Sequence, residues 1–270
     1  ITCRDWSSDV CSSDLLEKGL LTKHHKKNTL DPSRENEILE RVAQRSRCLA
    51  SPDYAKELFK RFMAEGRAVQ DRNLTLVGFQ GMHGAYSEAA ARSWKPDAAT
   101  MPFKEFSDVF DAVLSGELDY GVVPVENTLG GIVGQVNSIL VTTELRIIAA
   151  VDMPINHCLL AAPGTDHREI RTAYSHPQAL AQCRRFLSRN KIDEVVWFDT
   201  AGSARMVAEE RPKGAAAIAS RFAAELYGLE IIKDGIQDSQ VNRTRFFVLA
   251  KEGGHAEIGS AHVCPPVTAR

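Results

Sequence analysis

Between residues 73 and 251 the sequence alternates short apolar runs with segments of helical period, and this alternation constrains the fold more than any other feature. Leu74-Thr-Leu-Val-Gly-Phe79 has the composition of a strand, and Gly81-Met-His-Gly84 turns the chain into a helix over 86–94. A second strand ends at Pro102-Phe103. Phe106, Val109, Phe110 and Val113 then give a helix its apolar face, closed by Gly116. The run 119–125 predicts a buried strand leading into Glu126-Asn-Thr128, followed by Gly130-Gly131 and a helix over 133–140. Strands over 146–150 and 156–162 flank Pro154. The second half repeats the pattern, with strands at 172–174, 195–197 and 215–219 and helices at 177–188, 203–209 and 221–227. Strand–helix alternation of this kind predicts an α/β fold with largely parallel sheets. The chain is expected to cross between two lobes near 151–154 and again near 235–242. Such a double crossing leaves a cleft, where ligands bind.

The rest of the chain narrows the possibilities. Of 270 residues 44% are hydrophobic and 25% charged, and the formal net charge is -2. No overall basic field points to nucleic acid, and no apolar run reaches the ~20 residues that span a bilayer. Residues 1–20 carry charges throughout and lack the apolar stretch of a signal peptide. Cys3, Cys11, Cys48, Cys158, Cys183 and Cys264 form no CxxC pair and no metal spacing, as expected of reduced thiols in a cytoplasmic protein. Residues 1–15 and 252–270 show little period of either kind. They are expected to be non-native, unstructured ends, similar to translated sequencing adapter. Residues 16–72 are predicted to be helical, with Asp31 as a cap, Pro32 and Glu35 in the first turn, and Ile38, Leu39 and Val42 at helical spacing. A second helix begins at Ser51-Pro52.

Candidate chemistry concentrates in Asn242-Arg-Thr-Arg-Phe-Phe247, where Thr244 stands between two guanidinium groups at the start of an apolar strand. Alternation along a strand puts Thr244 and Phe246 on one face and Arg243 and Arg245 on the other. Three predicted helix starts carry hydroxyls: Gly84-Ala-Tyr-Ser87, Ser175-His-Pro-Gln178 and Thr200-Ala-Gly-Ser203. Free N–H groups and the helix dipole make such ends suited to anions, although capping alone accounts for any one hydroxyl. With Thr244 and Arg245 they describe a site for a dianionic small molecule. There is no Gly-x-Gly-x-x-Gly, no phosphate loop and no zinc spacing, so no cofactor and no metal are expected.

These stretches resemble the prephenate dehydratase domain along nearly all of residues 76–251. The matching segments are 78–87, Pro124-Val-Glu-Asn-Thr128, Tyr174-Ser-His-Pro-Gln-Ala-Leu180 with Cys183, Ala217-Ile-Ala-Ser220 with Tyr227-Gly-Leu229, Gln237-Asp238 and 242–247. The resemblance implies a two-lobed α/β fold like type II periplasmic binding proteins, with lobe one at 73–152 and 236–251 and lobe two at 153–235. It implies conversion of prephenate to phenylpyruvate, carbon dioxide and water on the route to phenylalanine. Residues 16–72 resemble the last two helices of an all-helical chorismate mutase domain, in which Asp31, Arg34, Glu35 and Gln70 match site positions and Lys23 lies near another. Gly66 stands where that family has serine, and the long first helix is absent, so no mutase activity is expected. The order resembles the fused chorismate mutase–prephenate dehydratase proteins, without their regulatory ACT domain. A homodimer is the expectation for a full-length parent.

By the same resemblance Thr244 assists departure of the substrate hydroxyl. Arg245 would stabilise a carboxylate if a twist or bulge brings it beside Thr244. Asn127 and Thr128, with Ser87, Ser175, His176, Gln178 and Ser203, are the candidate substrate contacts. Ser175 and Gln178 are equally readable as caps, Glu126 as a structural tie, and His157 as a satisfied core residue. A two-lobed module that binds a dicarboxylate without turnover is the alternative class. Arogenate dehydratase is the sister activity.

Overall fold

The computed structural model describes residues 32–45, 51–70 and 74–251. They fall into two compact units: a helical pair, and an α/β unit that begins at Leu76. Lys23, Asp31 and the terminal segments 1–15 and 252–270 lie outside the described residues, as do the side chains of Arg34 and Gln70.

The helical pair consists of α1 (Pro32–Arg45) and α2 (Pro52–Gln70). Each opens on proline, whose missing N–H removes no helical bond at that position. Leu39 and Val42 of α1 and Ala55 of α2 are buried, and Lys56 Nζ lies 2.6 Å from Glu40 Oε1. Tyr54, Leu58 and Phe62 remain exposed, because one partner helix cannot cover the broad apolar face that α2 carries.

In the α/β unit the chain runs β1 (Leu76–Gln80), α3 (Tyr86–Trp94), β2 (Ala99–Phe103), α4 (Phe106–Ser115), β3 (Tyr120–Asn127), β4 (Gly131–Ile132), α5 (Gly134–Thr142) and β5 (Arg146–Pro154). It then crosses to β6 (Cys158–Ala161), β7 (Thr172–Ser175), α6 (Pro177–Gln182), α7 (Arg184–Asn190), β8 (Asp193–Val196), α8 (Thr200–Glu210), β9 (Ala215–Ala219), α9 (Arg221–Tyr227) and β10 (Glu230–Lys233). Finally it returns as β11 (Arg243–Ala250). Lobe one is a sheet of order β2-β1-β3-β11-β5, with β4 paired to β3; lobe two is a sheet of order β10-β6-β9-β7-β8. The expected two-lobed α/β architecture is present.

Three particulars differ from the sequence expectation. The sheets are mixed: β11 is antiparallel to both β3 and β5, and β6 is antiparallel to β9 and β10. A strand returning from the other lobe enters the sheet in reverse, which apolar periodicity does not record. Strand β5 continues through Pro154, so the first crossing falls at 155–157. Proline is tolerated there because β5 is the edge strand. The helix expected over 177–188 breaks at Cys183 into α6 and α7.

Burial follows the pattern that the alternation demands. Val77, Val122, Phe246 and Val248 pack with Ala90 and Ala91 of α3 in lobe one. In lobe two the all-alanine-and-isoleucine strand β9 is buried along its length between layers containing Leu180 and Leu187 on one side and Val207 and Ala223 on the other. A strand buried on both faces reads as a continuous small apolar run rather than an alternating one.

Candidate active site

Strand β11 enters lobe one directly from the second crossing, with Thr244 inward at 8% exposure. In register beside it stands Asn127, the last residue of β3. Asn127 Oδ1 accepts from the N–H groups of Leu129 (3.0 Å) and Gly130 (2.7 Å), the side-chain turn expected of asparagine at a strand end. Two backbone donors on the oxygen force the amide nitrogen toward β11. There Nδ2 lies 2.9 Å from Thr244 Oγ1, 2.8 Å from Asn242 Oδ1 and 3.1 Å from the carbonyl of Arg243. Thr244 thus accepts a hydrogen bond through its oxygen, and its own proton has no acceptor among the described residues. Thr128 closes the same turn: its hydroxyl donates to Val241 O (2.9 Å) and accepts from Arg243 N–H (3.0 Å).

Lobe two meets this turn through α6. Gln178, in its first turn, places Nε2 2.1 Å from where a Cβ on Gly130 would stand. Gln182, its last residue, accepts at Oε1 from Asn242 Nδ2 (2.9 Å) and lies 2.9 Å from His157 Nε2. The other ring nitrogen of His157 lies 3.2 Å from the Tyr86 hydroxyl, which donates to Asn156 O at 2.5 Å. Burial lowers the pKa of His157, partly offset by the bond to Gln182, so the ring is neutral at pH 7. Burial pushes the Tyr86 phenol well up. A continuous polar strip therefore runs from Tyr86 through His157, Gln182, Asn242 and Asn127 to Thr244. Sequence reading assigns no site role to Asn242 or Gln182, and it reads His157 as core. The only available signals are the presence of Asn242 in the 242–247 motif and of Gln182 just before Cys183.

Two of the three helix starts, those of α6 and α8, are already capped by the protein's own side chains, while α3 carries no side-chain cap. Glu88 reaches back to the N–H of Gly84 (2.8 Å), the Nδ1 of His176 accepts from Gln178 N–H (3.2 Å), and the Asp199 carboxylate accepts from Gly202 N–H. Burial raises the pKa of Asp199 against the pull of the Gly202 and Ala201 amides and of His176. Burial likewise lowers that of His176, opposed by Asp199. The expectation of open anion sites is corrected accordingly for the starts of α6 and α8. Ser175 is fully buried and donates to Ile218 O at 2.6 Å; Ser203 is fully buried and donates to Thr200 O at 2.7 Å. Both hydroxyls serve the backbone. Ser87, by contrast, has no side-chain bond among the described residues, and the cap of its helix is Ala85.

Arg245 needs the same correction. A register shift does occur between Arg245 and Phe246, but its extra residue is Val125 of β3, so β11 keeps its alternation and the guanidinium is not turned toward Thr244. Arg245 stays on the opposite face, where Nε and Nη2 hold the two oxygens of Asp152 at 2.9 and 3.1 Å. That bond, more than the opposing burial, draws the Asp152 carboxyl below its usual range. Of the expected site residues, then, Thr244, Asn127, Thr128 and Gln178 come together. His176 caps the helix that carries Gln178, Ser87 follows Tyr86 of the polar strip, and Ser175, Ser203 and Arg245 are engaged elsewhere.

Comparison with known proteins places the chain among dehydratases. Residues 77–254 match the family model described as prephenate dehydratase. Arogenate dehydratase/prephenate dehydratase 6 of Arabidopsis thaliana is 45% identical over 179 residues, covering 65% of this chain and 43% of that protein. Arogenate dehydratase/prephenate dehydratase 2 of the same plant is 40% identical over 202 residues, covering 75% and 52%. The chain thus spans about half the length of these relatives. The crystal structure of prephenate dehydratase in complex with L-Phe from Arthrobacter aurescens is 31% identical, covers 66% of this chain and 61% of that one, and superposes with a TM-score of 0.61. With the family model matching residues 77–254, about two thirds of its length, the chain belongs to the prephenate dehydratase family.

Proposed function

We propose that this chain converts prephenate to phenylpyruvate, water and carbon dioxide. Prephenate carries two carboxylates and a ring hydroxyl opposite the carboxylate that departs. Loss of carbon dioxide leaves an electron pair that displaces the hydroxyl, and the ring becomes aromatic. The enzyme must orient the acid and assist the hydroxyl to leave as water. The observation that carries the proposal is the state of Thr244: its oxygen is held by Asn127 while its proton is uncommitted at the junction of the lobes. A hydroxyl so arranged donates to a leaving oxygen, with solvent supplying the proton consumed overall. General-acid help of this type gives typically 10²–10⁴-fold, and positioned dipoles supply much of the rest.

Incubation with prephenate and measurement of phenylpyruvate absorbance in alkali tests the proposal. Product formation supports it; saturable prephenate binding without product would favour the non-catalytic binding module. Arogenate dehydration is the second reading, favoured by the names of the plant relatives at 40–45% identity. Prephenate and arogenate differ by keto against amino, so competition between them in one assay separates the two. We further propose that α1 and α2 derive from a fused chorismate mutase domain, on the resemblance of residues 31–35 to that family.

A further inference from the structure

We propose that His157 and Asn242 are positioning residues for Thr244, transmitting a fixed orientation from lobe two across the crossing into the Asn127–Thr244 pair. The inference rests on the dehydratase reading and assigns work to two residues outside direct contact with the reacting groups. Its basis is the direction of each bond in the strip. One oxygen, Gln182 Oε1, faces both His157 Nε2 and Asn242 Nδ2 at 2.9 Å. A carbonyl oxygen accepts only, so both partners must donate, and the His157 proton is placed on Nε2. With its nitrogen turned to Gln182, Asn242 can present only its oxygen to Asn127, at 2.8 Å. Asn127, whose oxygen is held by the N–H groups of Leu129 and Gly130, meets it with its nitrogen, the orientation that fills a lone pair of Thr244 and leaves the Thr244 proton for substrate. A reversed amide anywhere along the strip would set two buried donors face to face. His157 is nearly fully buried, as are Asn242 and Thr244, so water is poorly placed to repair such a fault.

A purely structural histidine would matter for stability but not selectively for turnover, and the test is built on that difference. In the full chain, His157→Phe keeps ring volume without the Nε2 donor, and His157→Gln restores an N–H near that point. Asn242→Leu breaks the next link. Misplacement of a reacting group typically costs on the order of 10²-fold, so His157→Phe and Asn242→Leu are expected to lower kcat about 10- to 100-fold with KM within about threefold. His157→Gln is expected to recover most of that loss. Unchanged kcat in a folded His157→Phe or Asn242→Leu, or no recovery in His157→Gln, overturns the proposal. A second readout is independent of turnover: the side-chain amide protons of Asn127, followed by NMR exchange in ¹⁵N-labelled protein. They are expected to exchange faster in Asn242→Leu. Faster exchange in a chain inactive toward prephenate would uphold the positioning network and sink the dehydratase reading; unaltered exchange would sink the network whatever the activity.

Discussion

A threonine hydroxyl has two lone pairs and one proton, and at position 244 the neighbours fill an acceptor site and leave the donor unspent. Removing the hydroxyl while keeping the branched shape, as in Thr244→Val, should therefore act on chemistry more than on binding. We expect kcat to fall about 10²–10⁴-fold with little change in KM, the range typical of general-acid help. Thr244→Ser should stay within about tenfold of the unmodified enzyme. Steady-state kinetics on prephenate checks both, and a Thr244→Val enzyme with full kcat would remove Thr244 from the reaction. The sequence announces Thr244 because strand alternation fixes its face and its motif is distinctive. The same alternation already placed Arg245 on the other face, and the structure follows it. What periodicity could not disclose was the amide strip. Asn242 and Gln182 are separated by 60 positions, and their bond at 2.9 Å exists only after the lobes assemble. Nor could it tell that the hydroxyls of Ser175 and Ser203 would be spent on the carbonyls of Ile218 and Thr200.

The elements show why hydroxyls at helix starts were a poor guide to open anion sites. The start of α3 is organised by Glu88, fully buried, which accepts from the Gly84 N–H, from Arg92 Nε (3.0 Å) and from Thr100 Oγ1 (2.8 Å) and lies 3.2 Å from His83 Nδ1. Burial pushes its pKa up, but the bonds from His83, Gly84 and Thr100 outweigh this and bring it from 4.5 down to about 2. A carboxylate depressed on folding stabilises the native state fully above its unfolded pKa and loses that contribution as pH falls. Glu88 should thus contribute roughly 3 kcal/mol at neutral pH, lost between pH 4.5 and about 2. Glu88→Gln should be less stable at pH 7 in urea melts, and its deficit should shrink as pH drops through that window. A deficit that stays constant with pH would mean that packing, not charge, is at work. A second element-scale prediction concerns the turn after β3. Gly130 shows no left-handed φ, so alanine is tolerated by the backbone, but its Cβ would meet Gln178 Nε2 at 2.1 Å. Gly130→Ala should displace the exposed end of Gln178, raising KM for prephenate several-fold with a melting temperature close to the unmodified one; unchanged KM would remove Gln178 from the substrate contacts.

At the scale of the whole α/β unit, the two lobes were legible because an alternating pattern that crosses twice leaves few other arrangements. The direction of the returning strand and the contacts that hold the lobes together were not, since both depend on where distant turns land. The turn before α3 is clasped by α9 of lobe two: Tyr227 donates its hydroxyl to His83 O at 2.6 Å, and Ser220 donates to Gly84 O at 3.0 Å. Gly84, at φ +92, comes so close to Ala223 that a Cβ would stand 3.2 Å from it, a position that only glycine fills without strain. Burial carries the Tyr227 phenol up to about 12, so it remains a donor at any working pH. Tyr227→Phe deletes this bond and keeps the ring. One neutral hydrogen bond contributes about 1 kcal/mol, so the population with lobes together should fall by about fivefold at most. If, as proposed, substrate contacts Asn127 and Thr244 of one lobe and Gln178 of the other, the shortfall should appear as a rise in KM of up to about fivefold, with kcat preserved at saturation. If kcat falls instead, the clasp shapes the Thr244 site itself. If neither constant moves, the seating of Gly84 on Ala223 is sufficient to hold the lobes, and Gly84→Ala becomes the substitution that should separate them.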